Sequence, residues 1–327
     1  MKKILITTPS FAIHGGIRII IELANNLANV PGYSVYLHSI DGSRGREYWQ
    51  ISDKVIISSY FSKSDVMICT SPHALHLAHQ SHKAGTKVFI HCQMAEHLFN
   101  AKDETWVKLC YEFYKAPYPM FSISHWNIEL FKENGRTYET IYIGNGLNFE
   151  QFTPELIPQE QKESLIVVEG WGDRQPHKDK NMYSIAVAQI LKKQGARVAA
   201  ISRTPISQSK HIPDEIYIAP TTEQMAALYK RARMLIKATA YDARSCSPIE
   251  AGSKGVVTIR GIDKGDDDLI NGENCLKSKY DYPAIKKNAL KAWNDIDLCN
   301  ELATNMHKHI LEFCNWDKWV KVMVERF

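Results

Sequence analysis

The 327-residue chain carries 40 Lys and Arg against 36 Asp and Glu, with 44% apolar, 10% aromatic and 23% charged residues, a composition that excludes a disordered, collagen-like or disulfide-scaffold protein. Its length is about twice that of a typical domain and predicts two domains, each with a core of its own. Residues 1–160 hold 14 basic against 15 acidic side chains and residues 161–327 hold 26 against 21, so the cationic excess lies in the second half, where it suits an anionic ligand better than a duplex nucleic acid.

The seven cysteines (69, 92, 110, 246, 275, 299 and 314) stand singly and form no CxxC pair. That spacing argues against a disulfide framework or a structural zinc site and fits a reducing, cytoplasmic setting. The apolar run Ile4-Leu-Ile6 breaks at Thr7-Thr8-Pro9, too short for a signal-peptide core or a membrane span.

In chain order, Lys3–Thr7 reads as a strand, followed by a loop and by Gly15-Gly16 opening a helix with an apolar face at Ile17, Ile20, Ile21, Ala24, Leu27 and Ala28. Strand-like runs recur at 34–40, 55–58, 65–69, 87–91, 121–124 and 141–143, alternating with helical or polar stretches. Such alternation predicts a parallel sheet. The polar, proline-marked stretch 153–163 reads as a linker and sets the expected domain boundary near residue 160, giving domains 1–160 and 161–327. A second series follows, with strands at 165–169, 197–201, 216–219, 234–238 and 256–259 and helices around 182–193 and 223–232, a second doubly wound half. The last helical pattern, within about 306–327, sets Trp316, Trp319, Val320 and Met323 at helical spacing and needs an apolar partner.

The segment Asp242-Ala-Arg-Ser-Cys-Ser-Pro-Ile-Glu250 is the most informative. It places two acids eight positions apart around a strand-to-helix entry. Ser247 is expected to cap the helix, with Pro248 at its first position and Glu250 completing a capping box. The same helix start offers unpaired N–H groups to a phosphate, so capping and anion binding are both open locally.

The Asp242–Glu250 spacing, its Pro-Ile-Glu-Ala core and the Gly255-Val-Val strand that follows resemble the E-x7-E signature of family 4 glycosyltransferases. The likeness extends to Leu165–Gly172 with Arg174 and Lys180-Asn181, to Gly15-Gly16, to His91 at a strand end, to Ser122–His125, to Asn145-Gly146 and to Gly261–Asn274, in matching order. It implies a GT-B architecture, two facing Rossmann-like doubly wound α/β domains, with the N-terminal domain on the acceptor side and the C-terminal one binding the nucleotide sugar. The final helix would pack back on the first domain.

Residue by residue, the resemblance gives Glu250 the donor ribose, Asp242 and His91 the transferred sugar, and Arg174 and Lys180 the diphosphate, with Lys178 competing for the role of Lys180. Gly15, Gly16, Ser247 and Ile249 join the donor-binding set. Glu96 is an alternative acceptor contact. The family carries Glu where this chain has Asp242, which puts the identity of the sugar in question. The expected activity is transfer from a UDP- or GDP-sugar, with retention of configuration and no cofactor or metal, to an unidentified acceptor, either a glycan, a lipid-linked group or a small molecule. Two other readings are a glycosyltransferase acting on a modified nucleobase in DNA, the one case in which nucleic acid is a partner, and a nucleotide-sugar-binding protein without turnover. A dehydrogenase is disfavoured, because the first strand leads to no G-x-G-x-x-G.

Overall fold

Short β-branched runs and amphipathic helices alternate along the whole chain. The computed structural model describes residues 1–13, 15–45, 47–59, 63–171, 182–206 and 212–327. Their contacts divide them into two units, Met1–Gly146 with Trp316–Phe327, and Leu147–Asn315.

In the first unit the order is β1 (Lys2–Thr8), α1 (Gly15–Leu27), β2 (Tyr33–Ser39), β3 (Val55–Ser58), β4 (Val66–Cys69), α2 (Leu75–Lys83), β5 (Lys87–Cys92), α3 (Glu104–Lys115), β6 (Met120–Ser122), α4 (His125–Glu133) and β7 (Thr140–Tyr142). The described strands pair in parallel in the order β3-β2-β1-β4-β5-β6-β7. This is a doubly wound sheet whose order reverses between β1 and β4, where ligands of such sheets approach the carboxyl ends of the strands.

The second unit contains β8 (Leu165–Glu169), α5 (Met182–Lys192), β9 (Arg197–Ser202), β10 (Glu215–Ile218), α6 (Thr222–Arg231), β11 (Met234–Ala238), β12 (Tyr241–Asp242), α7 (Cys246–Ser253), β13 (Val257–Gly261), β14 (Lys264–Gly265), β15 (Leu276–Ser278), α8 (Tyr282–Asn294) and α9 (Ile296–Phe313). Its main sheet runs β10-β9-β8-β11-β13-β15, and β12 pairs separately with β14. The reversal falls between β8 and β11, whose register aligns Met234 with Ile166 and Ile236 with Val168.

Both faces of the middle of this sheet are covered, so strands such as β8 and β9 carry apolar runs rather than an alternating pattern. Ile166 and Val168 enter one core with Met234, Ile236, Val187 of α5 and Ile285 of α8. Leu165, Val167 and Leu235 enter another with Leu228 of α6, Ile249 of α7 and Met306 of α9. Strand alternation therefore aims the next residue of β11, Lys237, into a layer otherwise built of apolar groups.

α10 (Trp316–Val324) belongs to the first unit, and buries Trp316, Trp319, Val320 and Met323. The Trp316 indole donates to Glu22 Oε2 of α1 at 3.0 Å. Its ring lies where a side chain on Gly146 would sit, and Trp319 crowds Gly144 in the same way. Gly146→Ala is therefore expected to lower stability by about 1–3 kcal/mol, because its new methyl meets an aromatic ring with no room to turn. Urea unfolding measures this, and an unchanged midpoint would mean the helix is not seated there.

Candidate functional site

Asp242 forms β12 by pairing with Gly265 of β14. Directly after β14, Asp266 takes a positive φ of 45°, a left-handed conformation that Asp tolerates better than most residues. Its N–H donates to the carbonyls of Asp242 (3.0 Å) and Ala243 (3.1 Å), which closes the loop ahead of α7.

Five charged side chains meet behind this loop. Arg260 Nε reaches Asp266 Oδ2 at 2.5 Å, and its Nη2 reaches Thr239 Oγ1 at 2.8 Å and Asp242 Oδ2 at 3.6 Å. Ser245 donates its N–H to Asp266 Oδ1 at 2.6 Å, and its hydroxyl faces Asp242 Oδ2 at 2.6 Å and Asp266 Oδ2 at 2.9 Å. Lys237 Nζ lies 3.1 Å from Glu169 Oε2, 3.6 Å from Asp242 Oδ2 and 3.0 Å from Ser247 Oγ. Burial alone pushes the Lys237 ammonium down, but the Glu169 and Asp242 carboxylates outweigh it and raise its pKa above that of an ordinary lysine.

α7 begins at Cys246 with Ser245 as its N-cap residue, whose own side chain makes no capping hydrogen bond. The expected capping by Ser247 is therefore not what forms. The Ser247 hydroxyl instead donates to Glu169 Oε2, and the Ser245 hydroxyl serves the two aspartates. A hydroxyl donating to an ionised carboxylate makes a stronger hydrogen bond than one between neutral groups. Ser247, Ile249 and Glu250 are all buried, and Ile249 packs into the core beside Leu235. Asp242 and Glu250 thus bracket the entry to α7 at the carboxyl edge of the second sheet.

Arg174, Lys178 and Lys180 lie outside the described residues. Gly15 and Gly16 start α1 in the first unit, where Gln93 Nε2 donates to the Gly16 carbonyl at 3.0 Å. His91 occupies β5 of that unit and is 1% exposed. Neither ring nitrogen has a hydrogen-bond partner among the described residues, and burial lowers its pKa to about 4. Glu96 follows five residues on, and burial raises its carboxyl to about 8. A cavity of about 760 Å³ between α2 and α3, lined among others by Leu75, His79, Glu104 and Tyr111, holds none of the residues singled out from the sequence.

Sequence reasoning missed Glu169, Lys237, Arg260 and Asp266 as one cluster. For Glu169, Lys237 and Arg260 the available signal was a charged residue at or near the end of strands β8, β11 and β13. Among the described residues no group of three or more His, Cys, Asp or Glu side chains is placed to hold a metal ion, all seven cysteines are free, and no helix is long and apolar enough to cross a membrane.

No protein-family model matches the sequence, and no curated protein matches it either. Solved structures do match in shape. A sucrose-phosphate synthase from Thermosynechococcus elongatus superposes with a TM-score of 0.79 at 13% identity, over 99% of this chain and 98% of that one. Anabaena HepE, solved with UDP and glucose, gives 0.76 at 10% identity over 100% and 99%. An α-glucosyltransferase solved with UDP and a 13-mer DNA containing an HMU base gives 0.67 at 10% identity over 99% and 98%. With its two parallel-sheet units, the chain has the GT-B architecture of these glycosyltransferases.

A neutral, buried His91 makes stability depend on pH. Its folded pKa lies below its unfolded value near 6.5, so below that pH the unfolded chain binds a proton that the folded one refuses, and stability falls as pH drops from about 6.5 to about 4. The loss attributable to this residue is expected to reach about 3 kcal/mol at most. Urea unfolding of the wild type and His91→Gln across that range should show a steeper acid decline in the wild type, and parallel curves would rule this out.

Proposed function

We propose that this protein is a glycosyltransferase that moves a hexose from a nucleotide-sugar donor, a UDP-sugar first among them, to an acceptor with retention of configuration. The observation that carries the reading is the placement of Asp242 and Glu250 on either side of the entry to α7, at the carboxyl edge of the second unit's sheet. Its support is the architecture shared end to end with glycosyltransferases, among them HepE solved with UDP-glucose.

In this reading Glu250 accepts hydrogen bonds from the donor ribose and Asp242 from hydroxyls of the transferred sugar. Ser247 and Ile249 shape the same donor pocket. Arg174 and Lys180 stabilise the departing diphosphate, because charge builds on the leaving oxygen as the glycosidic bond breaks and fixed cations favour that charge without reorganising. This leaves no step that needs a metal or a cofactor. Gly15 and Gly16 are assigned to the donor phosphate and sugar. His91 offers a neutral imidazole to the sugar, since its lowered pKa keeps it uncharged near pH 7.

A second acceptor reading is a modified base in DNA, favoured by the match to the glucosyltransferase solved with HMU-containing DNA. Duplex and single-stranded oligonucleotides carrying that base discriminate it from a glycan, lipid-linked or small-molecule acceptor. Transfer to DNA would weaken steeply with salt.

Nucleoside diphosphate release and thermal stabilisation across UDP-, GDP-, ADP- and dTDP-sugars test the donor. Glu250→Gln is expected to weaken nucleotide binding by about 10- to 150-fold, since a hydrogen bond to a charged group contributes roughly 1.5–3 kcal/mol. Unaltered binding and turnover in that variant would sink the assignment. Lys180→Ala should impair donor use more than Lys178→Ala, and the opposite ranking would transfer the diphosphate role to Lys178.

A further inference from the structure

Lys237 is the one residue of β11 that breaks its apolar run, and its ammonium is placed where the sheet order of the second unit reverses. It touches three elements at once: Glu169 at the end of β8, Ser247 in the first turn of α7, and Asp242 in β12. Glu169 also accepts the Ser247 hydroxyl, so Lys237, Glu169 and Ser247 form a closed triangle with Asp242 at its side. Lys237, Ser245 and Arg260 all address the same carboxylate oxygen, Asp242 Oδ2.

A carboxylate met by two cations and a hydroxyl on one oxygen is fixed in direction as well as in charge. Asp is also one methylene shorter than Glu, which keeps this carboxylate close to the strand ends that carry Lys237 and Arg260. The cluster holds three carboxylates, Glu169, Asp242 and Asp266, against the two cations. Removing either cation leaves the part-buried Asp242 carboxylate with one counter-charge fewer, and it is then freer to turn or to take a proton.

We propose that Lys237, held by Glu169, is a positioning residue that sets the Asp242 carboxylate for the transferred sugar, so that it governs recognition of the sugar rather than of the nucleotide. The proposal rests on the glycosyltransferase reading given above. Lys237 acts through Asp242 and takes no part in bond making or breaking.

The test is calorimetric titration of the full-length protein with UDP, UDP-glucose and UDP-N-acetylglucosamine. Lys237→Met is expected to weaken the tighter-binding UDP-sugar by about tenfold, the scale of one charged hydrogen bond, while UDP itself changes by less than about twofold. Lys237→Arg, which keeps the cation, should restore most of the loss. Glu169→Gln, which removes the counter-charge, should show a smaller loss of the same sugar-selective kind, and it decides the matter if Lys237→Met does not fold. Equal loss of UDP and UDP-sugar, or no loss of either, overturns the positioning role and leaves the donor reading standing. A wild-type protein that binds neither UDP nor either UDP-sugar overturns the donor reading and the positioning role together.

Discussion

A lysine ammonium largely withdrawn from water near the end of a central strand cannot remain without compensation. Taking one ion out of water costs several kcal/mol even after relaxation, and only close counter-charges with good hydrogen bonds offset that. In this chain Lys237 obtains them from Glu169, Asp242 and Ser247. Arg260, fully buried on the neighbouring strand β13, is answered in the same way by Asp266, Thr239 and the Lys237 carbonyl. The second unit therefore contains an ion-paired seam, three carboxylates around two cations, that joins β8, β11 and β13 to the loop before α7.

That seam explains why α7 starts as it does. Ser245 and Ser247, both suited to capping, spend their hydroxyls on Asp242, Asp266 and Glu169. The helix is nonetheless held, because residues 247–253 are buried throughout and helical stability in proteins comes mainly from tertiary packing. Asp242 and Glu250 consequently stand on a rigid support, the arrangement that lets a site hold its groups in a fixed orientation with little reorganisation. The first unit differs in kind: its His91 is stripped of water and of hydrogen-bond partners among the described residues, an imidazole kept neutral by burial rather than set by a network.

Much of this fold was legible in the residues. Strands 55–58, 165–169 and 234–238 fall where the apolar runs predict, because short runs rich in apolar residues suit the buried positions of a parallel sheet. The short pairs β12–β14 and the edge strand β15 carry too few residues for any periodicity. The α7 cap was misread for a different reason. A capping box is a local signal, but Glu169, the carboxylate to which the Ser247 hydroxyl donates, lies 78 residues earlier and only the folded sheet brings it there. Lys237 was hidden likewise, since a single charge inside Met234–Ala238 does not alter the strand pattern. Asp242 and Glu250 were visible by spacing; Lys237 and Arg260, the cations beside the first of them, were not.

The central claim is that the segment Asp242–Glu250 receives a nucleotide sugar, and a crystal structure of the protein with UDP bound addresses it most directly. The account predicts UDP at the entry to α7, with ribose hydroxyls at hydrogen-bond distance from Glu250, about 2.5–3.0 Å. A UDP molecule bound elsewhere, with Glu250 unengaged, would contradict it.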